Sequence, residues 1–277
     1  MKIPIKKLKS GFAMPILGFG TWGVGGFLTK DPSNDDQADR KAIQKAIEAG
    51  ITHIDTAEMY AQGHAEEIIG KAIKGYDRKK LFITSKVKDH LQKKDVIRAA
   101  RRSLKRLAID YLDLYLIHAP NSQIPISETL EGFDELVYDG LVKHIGVSNF
   151  TVSQLKEAQD STKNKIVTNQ IHYSLLSKEQ EKEDIISYCQ KKDMLITAYR
   201  PVERGLLTQK GNKIIDELCH KYQKSPPQIA INWLISQPNI VTIAKMNNKK
   251  HLEENLQAVG WTMEEADVEK LQEHSIQ

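Results

Sequence analysis

The chain is poor in cysteine: Cys189 and Cys219 lie thirty residues apart and belong to no C-x-x-C pair. That scarcity argues against a disulfide scaffold and against a structural zinc centre. Long hydrophobic runs are missing too. Apolar stretches are broken by Asp, Lys or Gly well before the 18 or so residues that a membrane helix needs. Met1–Ser10 is rich in lysine, but Met14–Gly20 is too short and too glycine-broken for a signal-peptide core. Basic charge is not concentrated. The 40 basic and 36 acidic residues leave a net charge of +4, spread along all 277 residues. A nucleic-acid binder would gather its cations into a stripe or tail. The expectation is a cytoplasmic protein with no nucleic-acid or membrane partner.

Catalytic motifs of the metal and serine classes are absent as well. The nine histidines form no H-x-x-x-H or H-E-x-x-H pair, and there is no G-x-S-x-G elbow. No metal is expected. His64-Ala65-Glu66-Glu67 reads as a loop, a solvated turn leading into a helix. No Gly/Ser/Pro linker or low-complexity tract divides the chain, so residues 1–277 are expected to form a single domain.

What is present is alternation. Ile16–Thr21, Thr52–Thr56, Leu81–Val87, Leu112–His118, Val142–Ser148, Ile166–His172, Met194–Tyr199 and Val241–Lys245 are short runs rich in Ile, Val, Leu, Thr or Tyr, the pattern of buried parallel strands. Between them lie amphipathic helical stretches such as Gln37–Ala49, Asp95–Leu107 and Ser127–Tyr138. Ser127 and Ser153 are placed to cap the helices they begin. Eight βα units in about 250 residues predict an α/β fold of the (β/α)₈ TIM-barrel type rather than an open sheet. Lys2–Leu8 and Ala13–Pro15 predict an N-terminal β-hairpin under the barrel floor. Lys213–Tyr222 and Ser225–Gln237 predict an extra helix near the C-terminus.

Gly18-Phe19-Gly20-Thr21-Trp22-Gly23 matches the dinucleotide pattern G-x-G-x-x-G literally. That pattern binds pyrophosphate because a helix starts at once and aims its N-terminus at the phosphates. Here the chain runs on through Val24-Gly25-Gly26-Phe27 to Pro32, which cannot open a helix. A dinucleotide fold of that kind is therefore not predicted.

Catalytic groups of a barrel come from the C-terminal ends of its strands. The predicted strands end at Asp55, Lys86, His118, Ser148-Asn149, Gln170, Tyr199 and Lys245. Burying so many polar groups at one rim without use would be costly. Tyr60 follows Asp55 by five residues. An ammonium from Lys86 beside its phenol would draw the phenol's pKa down into a useful range, and Asp55 would hold Lys86 by a salt bridge. His118 would donate a hydrogen bond to a carbonyl oxygen. Such a set polarises and protonates a carbonyl while another group delivers hydride.

These residues resemble the aldo-keto reductase superfamily over almost the whole chain. The blocks Gly18–Trp22, Ile54-Asp55-Thr56-Ala57-Glu58-Met59-Tyr60, Ile83–Val87, Asp110–His118 and Gly146–Phe150 are similar to the family's blocks and occur in its order. The resemblance implies a nicotinamide-dependent carbonyl reductase with Tyr60 as general acid, Lys86 and Asp55 as its partners, and His118 orienting the carbonyl. It implies that Tyr199 stacks on the nicotinamide, that Ser148, Asn149 and Gln170 bond its carboxamide, and that Gly20, Thr21 and Asp55 line the coenzyme. Arg200, Pro201 and Val202, through Leu206, would cover the pyrophosphate, and Trp22 would line the substrate pocket. The last block, Lys245-Met246 followed by His251, Glu254 and Asn255, would meet the 2′-phosphate and adenine of NADPH.

The chain departs from the family pattern in three places. His251 stands where the family usually has Arg, which weakens the preference for NADPH and leaves NADH possible. Ala119 stands where many members have Trp. The stretch Leu271–Gln277 after the final helix is short, so an open pocket of small contact area is expected. The partner is a small-molecule carbonyl, and a monomer or weak dimer is expected. Two other readings share the fold: a lyase or aldolase forming a Schiff base on Lys86, and a nicotinamide-binding regulatory subunit.

Overall fold

The computed structural model describes residues 2–88, 91–209 and 211–273. The chain opens with a hairpin, β1 (Ile5–Lys7) against β2 (Ala13–Pro15), in antiparallel register. Eight parallel strands among the described residues then close into a barrel. They are β3 (Leu17–Gly20), β4 (His53–Asp55), β5 (Phe82–Val87), β6 (Leu112–Ile117), β7 (Val142–Ser148), β8 (Ile166–His172), β9 (Leu195–Tyr199) and β10 (Ile240–Ala244), the last pairing with both β9 and β3. The predicted barrel is correct, and so is the hairpin.

Helices wrap the barrel: α1 (Asp36–Glu48), α2 (His64–Ile73), α3 (Lys93–Leu107), α4 (Ile126–Tyr138), α5 (Val152–Asp160), α6 (Gln180–Lys191), α7 (Lys213–Tyr222), α8 (Pro226–Ser236), α9 (Lys249–Leu256) and α10 (Glu265–Glu273). None is long and apolar enough to cross a membrane, as far as the described residues go. α7 and α8 follow one strand, the predicted extra helix. Residues 21–35 form a loop before α1, which removes the dinucleotide reading of the glycines.

Hairpin and barrel meet at the floor. Phe12 packs edge-on against Phe82 and His144 near the N-terminal ends of β5 and β7. Lys6 donates from Nζ to the carbonyls of Gln237 and of Ile240, the latter at 2.7 Å, and so ties the hairpin to the turn before β10. Inside the barrel, His53 bonds Thr84 through Nε2 at 3.1 Å, and the Thr168 and Thr197 hydroxyls lie 2.9 Å apart. Gly18 makes room for that layer, since a methyl group there would stand 2.2 Å from His53 Nδ1.

Three local expectations need correction. Ser153 is not the cap of α5; Thr151 is, in a capping box with Gln154. That reciprocal pair satisfies two backbone donors and fixes the helix start two residues earlier. Ser127 likewise falls inside α4, which starts after Pro125, a residue whose fixed φ suits a helix entrance. Leu271 is part of α10 and buried, while residues 274–277 lie outside the described part.

Candidate active site

At the C-terminal mouth of the barrel, Asp55 ends β4 and Lys86 lies one residue before the end of β5. Both are buried, and they form an ion pair through Asp55 Oδ1. Lys86 Nζ also donates to the carbonyl of Thr56 at 2.8 Å and to Tyr60 Oη at 3.3 Å. The other carboxylate oxygen of Asp55 accepts from Gln170 Nε2 at 2.8 Å. β4 and β8 are not neighbours, so this last bond crosses the barrel mouth.

Tyr60 opens a short 3₁₀ turn, Tyr60–Gly63, immediately before α2. Ala61 and Gln62 take left-handed backbone angles there, φ 49° and 58°, a conformation that side-chain-bearing residues adopt only under constraint. The turn brings the phenol back over Lys86. Trp22 packs edge-on against the phenol ring at 5.0 Å and His118 at 5.8 Å between centroids. Asp55, Tyr60, Lys86, His118 and Trp22, widely separated in sequence, are thus assembled at one place.

The electrostatics differ from expectation at Tyr60. Burial pushes its phenol above the ordinary value, and the Lys86 ammonium opposes this without reversing it. Desolvation outweighs the ion pair because Lys86 already shares its charge with Asp55. For Lys86, burial favours the neutral amine, but the charge of Asp55 and then that of Tyr60 more than offset it, and the pKa lies above normal. His118 is pushed down to about 3 by burial and then by Lys86 and Lys88, so it is a neutral imidazole at neutral pH. Its Nδ1 is buried with no hydrogen-bond partner among the described residues.

A second group lies beside the first. Tyr199 Oη donates to Asn149 Oδ1 at 2.9 Å, and Asn149 Nδ2 donates to Ser148 Oγ at 3.0 Å and to the His118 carbonyl at 3.2 Å. Ser148 Oγ donates to the Gln170 carbonyl at 2.8 Å. Asn149 sits at φ +62°, which an Asn tolerates better than most residues. Several predicted groups are already engaged. The Gln170 amide nitrogen is committed to Asp55, and the Thr21 hydroxyl to the Asp55 carbonyl at 2.9 Å. Met246 is fully buried in the core. A methyl group at Gly20 would rest in ordinary contact with Ala244 and Ile243, 3.8 Å away.

The third group is the segment Arg200–Leu206 and the start of α9. Arg200 lies at φ +58° with its guanidinium 5.7 Å from the Tyr199 ring centre. Pro201 is buried, Val202 half-buried, and Leu206 exposed. Lys245 is exposed and reaches over the Phe27 ring at 6.0 Å. Asn248 caps α9, accepting from the His251 amide at 2.8 Å while its Nδ2 meets His251 Nδ1 at 3.0 Å. Asn255 Nδ2 donates to the Lys245 carbonyl at 3.1 Å, and Glu254 accepts from Ser225.

The sequence reading missed His172. Its ring stacks on Tyr199, 5.5 Å and 11° apart, and its Nε2 meets Glu203 Oε1 at 2.7 Å. The predicted strand Ile166–His172 coincides with β8, but Gln170 alone is named as its rim residue. The period of two along a strand, which puts His172 on the same face as Gln170, was the available signal. The segment His64–Glu67 is also corrected: it is the first turn of α2, with His64 and Glu66 buried. Glu66 accepts from Ser85 Oγ and Arg106 Nε, each at 2.6 Å, and so is held by partners the sequence does not reveal.

Residues 16–276 match the Aldo/keto reductase family. The chain belongs to that family. It is 33% identical over 264 residues to a methylglyoxal reductase of Escherichia coli, covering 94% of this chain and 90% of that one. Among solved structures it resembles the thermostable aldo-keto reductase Tm1743, crystallised with the inhibitor epalrestat, with 42% identity and a TM-score of 0.93 over 98% of this chain and 99% of that one. It also resembles an aldo/keto reductase from Klebsiella pneumoniae in complex with NADP and acetate, with 31% identity and a TM-score of 0.85 over 98% and 94% of the chains. This aldo/keto reductase is an oxidoreductase. The readings as an imine-forming lyase and as a regulatory subunit find no support. Lys86 is an ammonium held by Asp55 with its pKa above normal, the wrong state for a nucleophilic amine.

Proposed function

We propose that this chain reduces aldehyde and ketone carbonyls to alcohols, with Tyr60 as general acid and NADPH as hydride donor. The observation that carries the reading is the buried line Asp55–Lys86–Tyr60 beside a neutral His118. Tyr60 is protonated at neutral pH, as any phenol is, and burial raises its pKa further. When it gives that proton up, the phenolate faces the Lys86 ammonium, and the charge is stabilised where it develops. Asp55 fixes that ammonium, and Gln170 and the Thr56 carbonyl complete its setting. His118 donates to the carbonyl oxygen, and Trp22 forms a wall of the pocket.

The residues present fit a nicotinamide nucleotide. Tyr199 offers an aromatic face, Ser148, Asn149 and Gln170 amide and hydroxyl groups at one edge, and Gly20 and Thr21 lie at the end of β3 beside Asp55. Arg200, Pro201, Val202 and Leu206 would lie over the pyrophosphate; Lys245, Met246, His251, Glu254 and Asn255 would receive the adenosine 2′-phosphate end. When bound, the reduced nicotinamide supplies hydride to the carbonyl carbon. NADPH-bound and NADP-bound relatives support this assignment, and the methylglyoxal reductase relative supports small aldehydes and 1,2-dicarbonyls as substrates. We place the protein in the cytoplasm, where reduced nicotinamide is available, acting as one domain and as a monomer or weak dimer. Its exposed large apolar side chains, Ile5, Phe27, Leu28, Tyr138, Leu176 and Leu206 among the described residues, are few.

The test is NADPH oxidation against a panel of aldehydes, ketoacids, ketoses and dicarbonyls, in wild type and Tyr60→Phe. Loss of a general acid lowers the rate by about 10²–10⁴, with nucleotide affinity kept within a few-fold. Near-normal turnover in Tyr60→Phe removes the assignment.

A further inference from the structure

His64 has no part in the chemistry described above, yet it is buried and both of its ring nitrogens are engaged. Nδ1 lies 2.8 Å from Glu67 Oε2, one turn along α2. Nε2 lies 2.7 Å from Asp36 Oδ2, the first residue of α1. Each ring nitrogen therefore faces a carboxylate oxygen of a different helix segment. Asp36 is held in turn by Asn34 Nδ2 at 2.9 Å, and the same amide reaches Asp39 Oδ2, which takes the Gly25 amide at 3.0 Å. The imidazole also lies against Gly25 itself: a methyl group there would stand 2.8 Å from His64 Cδ2.

Two loops converge on this ring. One is residues 21–35, which carries Trp22 and Phe27. The other is Tyr60–Gly63, which carries Tyr60 and ends at His64. They are joined directly where the Ala61 amide donates to the Phe27 carbonyl at 2.6 Å. Above that bond Trp22 packs against both Phe27, at 5.6 Å, and Tyr60, at 5.0 Å. The left-handed angles at Ala61 and Gln62 show that the second loop is held in a conformation it would not keep by itself. Asp36 and Glu67 face the ring, while Glu66, two residues on, is turned to Arg106 and Ser85.

We propose that His64 is a positioning residue for carbonyl reduction, a hydrogen-bonding clamp between α1 and α2 that sets the Trp22 wall of the substrate pocket against Tyr60. This inference rests on the carbonyl-reductase reading above. His64 touches neither substrate nor coenzyme. It fixes the distance between pocket wall and acid, so its removal loosens substrate placement more than it changes proton transfer. The coenzyme residues on β7, β8 and β9 make no hydrogen bond with His64, Asp36 or Glu67 among the described residues.

The experiment compares wild type, His64→Gln, Asp36→Asn and the double variant. Gln keeps one nitrogen able to donate but puts an acceptor oxygen where the ring has its second nitrogen. The carbonyl KM is expected to rise about tenfold in His64→Gln, as misplacement of a pocket wall implies, with a smaller fall in kcat and an unchanged NADPH dissociation constant. The double variant is expected to be no worse than His64→Gln alone, because both act on one contact. Hydrogen exchange at the Ala61 and Gly25 amides is expected to be at least tenfold faster in either single variant, and this reads the clamp without any turnover. A lowered melting temperature with unchanged KM and unchanged exchange would overturn the proposal and leave His64 a stabilising residue only. If His64→Gln does not fold, Asp36→Asn, a change at a partly exposed site, carries the same comparison. Wild type that oxidises NADPH with no carbonyl would instead refute the reductase reading, and the exchange data would still decide whether the clamp exists.

Discussion

Gln170 donates its amide across the barrel mouth to the one oxygen of Asp55 that Lys86 leaves open. A carboxylate buried this deeply is stable only when its lone pairs are filled. The bond therefore joins the second group of site residues to the first. Gln170→Leu is expected to lose about 1–3 kcal/mol of stability, the penalty for an unsatisfied buried acceptor. A urea denaturation series reads it directly. An unchanged midpoint would mean that Asp55 does not depend on this donor.

Lys86→Met is expected to be as damaging as Tyr60→Phe. The ammonium is what draws the phenol downward against burial, so its loss lets the Tyr60 pKa rise further. Residual activity should then show a pH dependence displaced from that of wild type. The pH–rate profile of the variant is the measurement, and a profile identical to wild type would refute the tuning role.

Acid should destabilise the fold through two histidines held neutral. His53 is pushed down to about 4 by burial, and His118 to about 3 by burial and then by Lys86 and Lys88. Both sit below the unfolded value of 6.5, so the unfolded chain binds more protons once the pH drops below about 6.5. Stability is thus full above that pH and falls as pH is lowered toward 4. For fully buried His53 the linked loss is about 3 kcal/mol. Melting temperatures between pH 4 and pH 8 follow it, and His53→Asn should flatten the acid side of the curve.

NADPH is expected to bind about 10- to 100-fold more tightly than NADH, an estimate that takes one firm and one weaker charge-assisted contact at about 1.5–3 kcal/mol each. Lys245 supplies the charge. Asn248 directs its amide at His251 Nδ1, which leaves Nε2 to carry the ring's proton and act as the outward donor. His251→Arg should tighten NADPH and leave NADH unchanged, because a guanidinium fork bonds phosphate bidentately. Fluorescence quenching with both nucleotides checks this. Equal affinity for the two in wild type would show that this end of the barrel reads no phosphate.

The sequence by itself determined the barrel and the identity of the central residues. Period-two and period-3.6 hydrophobicity is local information, and eight repeats of it allow few closed arrangements. The family blocks are contiguous, so Asp55, Tyr60, Lys86 and His118 could be named before any contact was known. Tertiary structure alone decided what those residues experience. The Tyr60 phenol is raised rather than lowered because burial is the sum of many distant side chains, and no spacing along the chain reports it. Gln170 meets Asp55, His172 backs Tyr199 and His64 joins two helices for the same reason. Closure of the barrel brings Gln170 to Asp55 across its mouth, pairing of the neighbouring strands β8 and β9 sets His172 on Tyr199, and packing of α2 against α1 brings His64 to Asp36.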